Sequence, residues 1–176
     1  MYFEDESRFG LFTKNCRALT ARGVKPICPF QQVFQSTYLF GAFSPINGDS
    51  FLLELPFCNT EAFQVYLNQF SKQCQDELKI MVLDNGAFHK AKRLALPKNI
   101  LLIFLPPFSP ELNPAEKIWA RFKRAFTNKL CKSLEEVSLF IQNHVGLLKK
   151  SDVKSTFVFD YIFLTIFGLL IKSLLD

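Results

Sequence analysis

The chain of 176 residues contains only two histidines, and none of its five cysteines (Cys16, Cys28, Cys58, Cys74, Cys131) stands in a C-x-x-C pair. The common structural zinc and dithiol redox motifs are therefore excluded. An odd number of cysteines fits free, partly buried thiols in a reducing compartment better than a disulfide framework. The first residues, Met-Tyr-Phe-Glu-Asp-Glu, have no basic stretch leading into an apolar one, so no signal peptide is read and a cytoplasmic location is expected. Long apolar runs are missing too. The longest uncharged stretch near the C-terminus, 161–171, is closed by Asp160 and Lys172, whereas a bilayer span needs about 20 apolar residues. The tail from 157 to 175 is read as a core helix or an abnormal C-terminus, with no membrane partner. No internal repeat and no low-complexity segment is present.

What the chain does have is enough apolar substance for one domain with a real core. Its hydrophobic fraction is 49%, which excludes general disorder. The 21 phenylalanines belong mostly to that core. Lys+Arg exceed Asp+Glu by 21 to 16, a net charge of +5, which suits a polyanionic partner such as nucleic acid without requiring one.

Local patterns outline the order of elements. Residues 2–12 read as a strand with Asp5 near its centre, and the basic, turn-rich residues 13–32 as a loop or a ragged strand pair. The runs 36–44 and 50–55 flank Pro45-Ile46-Asn47-Gly48-Asp49, a hairpin signal. Ala62, Phe63, Tyr66, Leu67 and Phe70 recur with helical spacing, with Asn59 or Thr60 as cap. Residues 79–83 (KIMVL) and 100–105 (ILLIFL) read as strands buried on both faces. Between them 88–95 (FHKAKRLA) predicts a short helix, giving a parallel pair joined by a crossover. Prolines 106, 107, 110 and 114 stiffen the next loop. A helix to about 129 follows, with Asn113 as cap and Pro114 in its first turn. A last helix over about 133–148 opens on a capping box, Ser133 to Glu136.

Three carboxylates stand out by position: Asp5 on the first strand, Asp84 directly after the strand 79–83, and Glu116 in the first turn of the helix after the proline loop. An acid just past a buried parallel strand points to the carboxyl end of the sheet, where ligands gather. If the strands of Asp5 and Asp84 are neighbours, the two acids can share a cation while Glu116 approaches from the helix. Oxygen donors without a cysteine or histidine cluster suit Mg²⁺ or Mn²⁺ better than zinc. Spacing alone leaves open that each acid is simply a solvated turn residue.

The words around these acids carry more information. FEDESRFG (3–10), VLDNGAFHKAKRL (82–94) and FLPPFSPELNPAEKIWARFK (104–123) resemble three blocks of the mariner-type transposases of bacterial insertion sequences, within the DDE superfamily endonucleases. ARGVKPICPFQQ (21–32) and YLFGAFSPINGDSFLLELPFCNTEAF (38–63) are similar to that family as well, so the resemblance runs over about residues 2–150. PPFSPELNPAEKIW is its most specific block.

The resemblance implies an α/β, RNase H-like catalytic domain over 1–150, a mixed five-stranded sheet flanked by helices, followed by an atypical apolar tail, 151–176. It implies that Asp5, Asp84 and Glu116 are both the catalytic and the metal-binding triad, holding Mg²⁺ or Mn²⁺, as two ions. The implied reaction is cleavage at transposon ends and strand transfer into target DNA. The 31 residues between Asp84 and Glu116 are slightly fewer than mariner spacing, and the shortening falls in the 88–99 crossover.

Asn85, His89 and Asn113 are expected in supporting roles. His89 either touches a phosphate or orients a ligand, or is a plain surface histidine. His144 is read as structural, and Trp119 as core in preference to DNA stacking. Lys90, Lys92, Arg93, Lys117, Arg121, Lys123 and Arg124 are the expected phosphate contacts, with Lys14, Arg17, Arg22 and Lys25 a further basic cluster. No base-reading motif is seen. The resemblance implies an end-binding helix-turn-helix module, expected here from a separate or fused N-terminal segment, and a homodimer is expected from the need to join two ends. The alternative is a catalytically inactive transposase fragment that binds DNA or dimerises to modulate a relative.

Overall fold

Alternation of side chains builds the centre of the molecule. In β1 (Tyr2–Gly10), Phe3 and Phe9 face one side and Tyr2 the other, and both sides are covered. A computed structural model describes residues 1–14, 19–27, 29–107, 109–157 and 168. Cys16, Arg17, Cys28 and nearly all of the apolar tail lie outside those residues. Around β1 are β2 (Ser36–Phe43), β3 (Ser50–Leu55), β4 (Lys79–Leu83) and β5 (Ile100–Phe104), in the order β3-β2-β1-β4-β5. β1–β2 and β2–β3 are antiparallel, whereas β1–β4 and β4–β5 are parallel. The mixed five-stranded, RNase H-like sheet is thus present as expected. The Asn47-Gly48 turn closes the β2–β3 hairpin: the Asn47 side chain accepts from the Asp49 amide at 3.0 Å, and Gly48 supplies a φ of +77°.

Each face of the sheet has its own core. On one, α1 (Thr60–Lys72) buries Phe63, Tyr66, Leu67 and Phe70 against Phe40, Met81 and Leu83. Side chains of this size are worth roughly 1.5–3 kcal/mol each when fully buried. The Asn59 side chain caps α1 by accepting from the Ala62 amide at 2.9 Å. On the other face, α2 (Ala115–Phe126) turns Ala115, Ile118, Trp119 and Phe122 inward at helical spacing. α3 (Leu134–Leu147) adds Val137, Phe140 and Ile141. The short α4 (Lys150–Thr156) seals this core with Val153, and Phe157 follows it. Trp119 is fully buried, edge-on to Phe43 with ring centroids 5.4 Å apart, so it packs rather than meets DNA. His144 is equally structural: its ring stacks on Phe140 at 3.8 Å, and Nδ1 lies 2.9 Å from the Phe140 carbonyl.

Two sequence expectations are corrected. Residues 88–95 form turns, not a helix. Eight residues are too few to hold a helix unaided, and tertiary bonds claim this backbone instead. The Gln64 side chain takes both the Ala95 amide (2.7 Å) and the Ala95 carbonyl (2.8 Å). Asn113 caps α2 as expected, its Oδ1 accepting from the Ala115 amide at 3.2 Å, while Pro114 already has helical angles. The capping box at Ser133 does not close: Glu136 accepts from the Lys132 amide at 2.8 Å, and the Ser133 hydroxyl goes to Glu135, whose carboxyl it holds below its usual range.

Gly41 lies opposite Asp5 in the β1–β2 ladder. A Cβ there would come within 2.8 Å of both the Trp119 and Phe43 rings. Because these rings are locked in the core, Gly41→Val is expected to lose about 1–3 kcal/mol by overpacking, read as a lower midpoint in denaturant unfolding.

Candidate active site

The parallel register sets the first two acids side by side. Phe3 is level with Val82. Two residues further along each strand, Asp5 and Asp84 come level in the same phase of the pleat. β4 ends at Leu83 while β1 runs on to Gly10, so a gap opens beside β1 at the carboxyl end of β4. Glu116, in the first turn of α2, faces that gap. Asp5, Asp84 and Glu116 together line one cavity of about 380 Å³, with Asn85, Ser109 and Asn113 around them.

Asn113 is the link between helix and strand. Its buried amide donates from Nδ2 to the Glu4 carbonyl at 2.8 Å, and its Oδ1 accepts from the Ala115 amide at 3.2 Å. One side chain thereby ties the start of α2 to the residue before Asp5. Asn85 performs a similar task on the other wall. It donates to the Leu105 carbonyl and accepts from Lys90, which joins the end of β4 to the loop after β5.

The three carboxylates are not electrostatically alike. Burial, then the nearby Glu116, pushes Asp5 up to about 7. Asp84 is held below its usual range, first by the His89 hydrogen bond (Nδ1 to Oδ1, 2.9 Å) and also by the Gly86 amide at 2.8 Å. Gly86 is needed there, since a Cβ would sit 3.0 Å from His89 Nδ1 and 3.1 Å from Asp84 Oδ1. His89 is only 2% exposed, packed against the rings of Phe63 (4.5 Å) and Phe88 (4.1 Å). The reading of it as a surface histidine is corrected.

Sequence reasoning missed the residues on the far side of His89. Glu4 and Glu6 flank Asp5 in β1 but point to the opposite face, and Glu4 is wholly buried. His89 Nε2 lies 3.8 Å from an oxygen of each. Burial, then Glu6, raises Glu4 well above its usual value, and burial, then Asp5, lifts Glu6 to about 8. The signal was available: three consecutive acids inside a strand covered on both faces cannot all reach solvent.

The expected phosphate-binding cations divide into groups. Lys123 lies close enough to act on Asp5, and it lines a second cavity of about 250 Å³ with Arg8, Lys14, Phe12 and Phe34. Lys90, Lys92, Lys117 and Arg124 are exposed. Two are already committed to acids: Arg93 bonds Glu61 at 2.7 Å and Arg121 bonds Asp152 at 3.4 Å.

Comparison with known proteins bears on this geometry. Residues 1–138 match the model of the DDE superfamily endonucleases. The chain belongs to that family. This DDE domain is 39% identical over 103 residues to the uncharacterized protein y4pE/y4sA of Sinorhizobium fredii (strain NBRC 101917 / NGR234), covering 57% of this chain and 76% of that protein. Its fold is that of the mariner transposase Mos1. The pre-cleavage Mos1 transpososome superposes with a TM-score of 0.67 at 15% identity. The Mos1 mariner paired-end complex with Mn gives 0.66 at 16%. Each covers 89% of this DDE domain, which in turn spans 51% of those chains. Among the described residues of the domain, no helix is long and apolar enough to cross a membrane.

Proposed function

We propose that this chain is the catalytic domain of a mariner-type DNA transposase, which cleaves transposon ends and transfers the strands into target DNA. The observation that carries the reading is the convergence of Asp5, Asp84 and Glu116 on one cavity, from a central strand, the end of its parallel neighbour and a helix N-terminus. The donor set fits a hard divalent cation: three carboxylates, one of them pushed up by burial and a neighbouring negative charge, without sulfur. Asp5, Asp84 and Glu116 would hold Mg²⁺ or Mn²⁺, as two ions. When bound, such ions activate the attacking oxygen and stabilise the leaving one.

The chain's own residues supply position and charge. Asn113 keeps Glu116 facing Asp5, Asn85 fixes the wall behind Asp84, and the His89 N–H holds Asp84 in one orientation. Exposed cations, Lys123 foremost because it acts on Asp5, with Lys90, Lys92, Lys117 and Arg124, would take up DNA phosphates. An N-terminal helix-turn-helix module, separate or fused, would provide end recognition, and a homodimer would bring two ends together.

The test uses the purified chain, alone and fused to an end-binding module, with DNA carrying pre-cut ends and Mn²⁺ or Mg²⁺. Metal-dependent nicking or joining is expected, and its loss in Asp84→Asn. Absence of both activities in both formats would leave the inactive, DNA-binding fragment as the better description. The basic surface is tested by DNA affinity measured across salt concentrations. Lys123→Ala is expected to weaken binding and lower the salt slope by about one. Arg93→Ala is expected to change little, because Glu61 already holds that guanidinium.

A further inference from the structure

We propose that Glu4, Glu6 and His89 form a second, interior cation site that takes a divalent transition metal such as Zn²⁺ through His89 Nε2 and one oxygen of each glutamate. This site lies on the opposite face of β1 from Asp5 and shares with the triad only Asp84, which orients His89.

Several features point to a ligand there. The three donor atoms all lie within 4.8 Å of one another. Glu4 is 0% exposed and His89 2%, yet both Glu4 oxygens, one Glu6 oxygen and His89 Nε2 have no hydrogen-bond partner. Buried polar atoms are costly to leave in that state, so each calls for an explanation. Direct hydrogen bonding does not supply it, because Nε2 stands 3.8 Å from each carboxylate, beyond bonding range. Zinc bonds to histidine nitrogen and carboxylate oxygen are about 2.0–2.2 Å, which sets ligand atoms on a tetrahedral ion roughly 3.4 Å apart, so the donors would draw in slightly to close on it.

The other side of the imidazole is already arranged for the role. A carboxylate accepts only, so Nδ1 carries the hydrogen donated to Asp84 Oδ1 at 2.9 Å. In a metal-bound form Nε2 would present its lone pair toward the two glutamates. A carboxylate orienting a histidine whose second nitrogen meets the metal is a recurrent design at zinc sites. On binding a metal the two glutamates release their protons, and a divalent cation cancels the two negative charges they then carry. The Glu6 side chain is 17% exposed and marks the side from which an ion enters. The choice of metal follows from the imidazole, since nitrogen with carboxylate favours zinc-like ions over Mg²⁺.

The experiment incubates the purified chain with Zn²⁺, dialyses it against excess Mg²⁺, and measures retained zinc by elemental mass spectrometry. About one zinc per chain is expected in the wild type, Asp5→Asn and Glu116→Gln. Loss is expected in Glu4→Gln, Glu6→Gln and His89→Gln, with circular dichroism confirming the fold. Asp84→Ala should hold zinc roughly 10–100-fold more weakly. Zinc X-ray absorption on the wild-type protein provides a check independent of any variant: a shell with one imidazole supports the site, and an all-oxygen shell overturns it. No zinc retained by the wild type, equal retention in Glu4→Gln, or equal loss in Glu116→Gln would each overturn it as well.

Discussion

Asp5→Asn is expected to abolish metal-dependent DNA cleavage and joining while raising the melting temperature of the metal-free protein at pH 8. The two effects share one cause. Asp5 sits half-buried in the central strand with Glu116 and Asp84 close by, and its carboxyl is pushed up to about 7. At pH 8 the free protein holds that charge against burial and against like neighbours. Asparagine keeps the shape and removes the charge, so the fold is relieved by an amount on the order of a few kcal/mol. In a chain of this size each kcal/mol moves the midpoint by roughly 2–4 °C. The same substitution deletes a charged oxygen donor, and a cation that would bind through three carboxylates is left with two. Scanning calorimetry and a strand-joining assay on one preparation measure both consequences. Lost activity with a lower midpoint would mean that Asp5 is a structural residue.

The second large effect is the pH profile of the metal-free protein itself. Asp5, Glu4 and Glu6 all have folded-state values above their unfolded ones, Glu6 at about 8. The folded chain therefore retains protons that the unfolded chain releases above about pH 4. By linkage, stability falls as pH rises through that window, steepest between about 4 and 8. Asp84 works in the other direction. Its lowered value stabilises the fold above the ordinary aspartate range and is lost only on acidification. Three groups outweigh one, so the metal-free protein is expected to be more stable at pH 5.5 than at pH 8.5 in urea titrations, and Mn²⁺ should restore much of the loss at pH 8.5. A flat profile would contradict the burial of these acids.

Much of this arrangement is legible before any coordinates. The runs KIMVL and ILLIFL read as strands, although only the first is interior: β5 is an edge strand with Leu101 47% exposed, which corrects its reading as buried on both faces. The Asn47-Gly48 turn joins two others, and the spacing of Phe63, Tyr66, Leu67 and Phe70 admits little but a helix. The three acids were legible through the words around them: position alone left each open as a solvated turn residue, and the resemblance of FEDESRFG, VLDNGAFHKAKRL and PPFSPELNPAEKIW to family blocks singled them out. What escaped was set by contacts distant in sequence. The turns at 88–95 depend on Gln64, a side chain on another element. The inward turn of His89 depends on Asp84, Phe63 and Phe88 together. Glu4 and Glu6 were hidden by their neighbour, because an acid-rich strand invites a search for one functional face and β1 has two.

The Asn113–Glu4 bond bridges positions 109 residues apart. A polypeptide halted during synthesis before α2 emerges would carry two of the three acids and no clamp to gather them. It would also leave Phe3, Phe9, Phe43 and Val82 bare on one side of the sheet, a surface prone to self-association. Interrupted synthesis would thus yield a product that lacks Glu116 and bares this face, one that quality control readily clears.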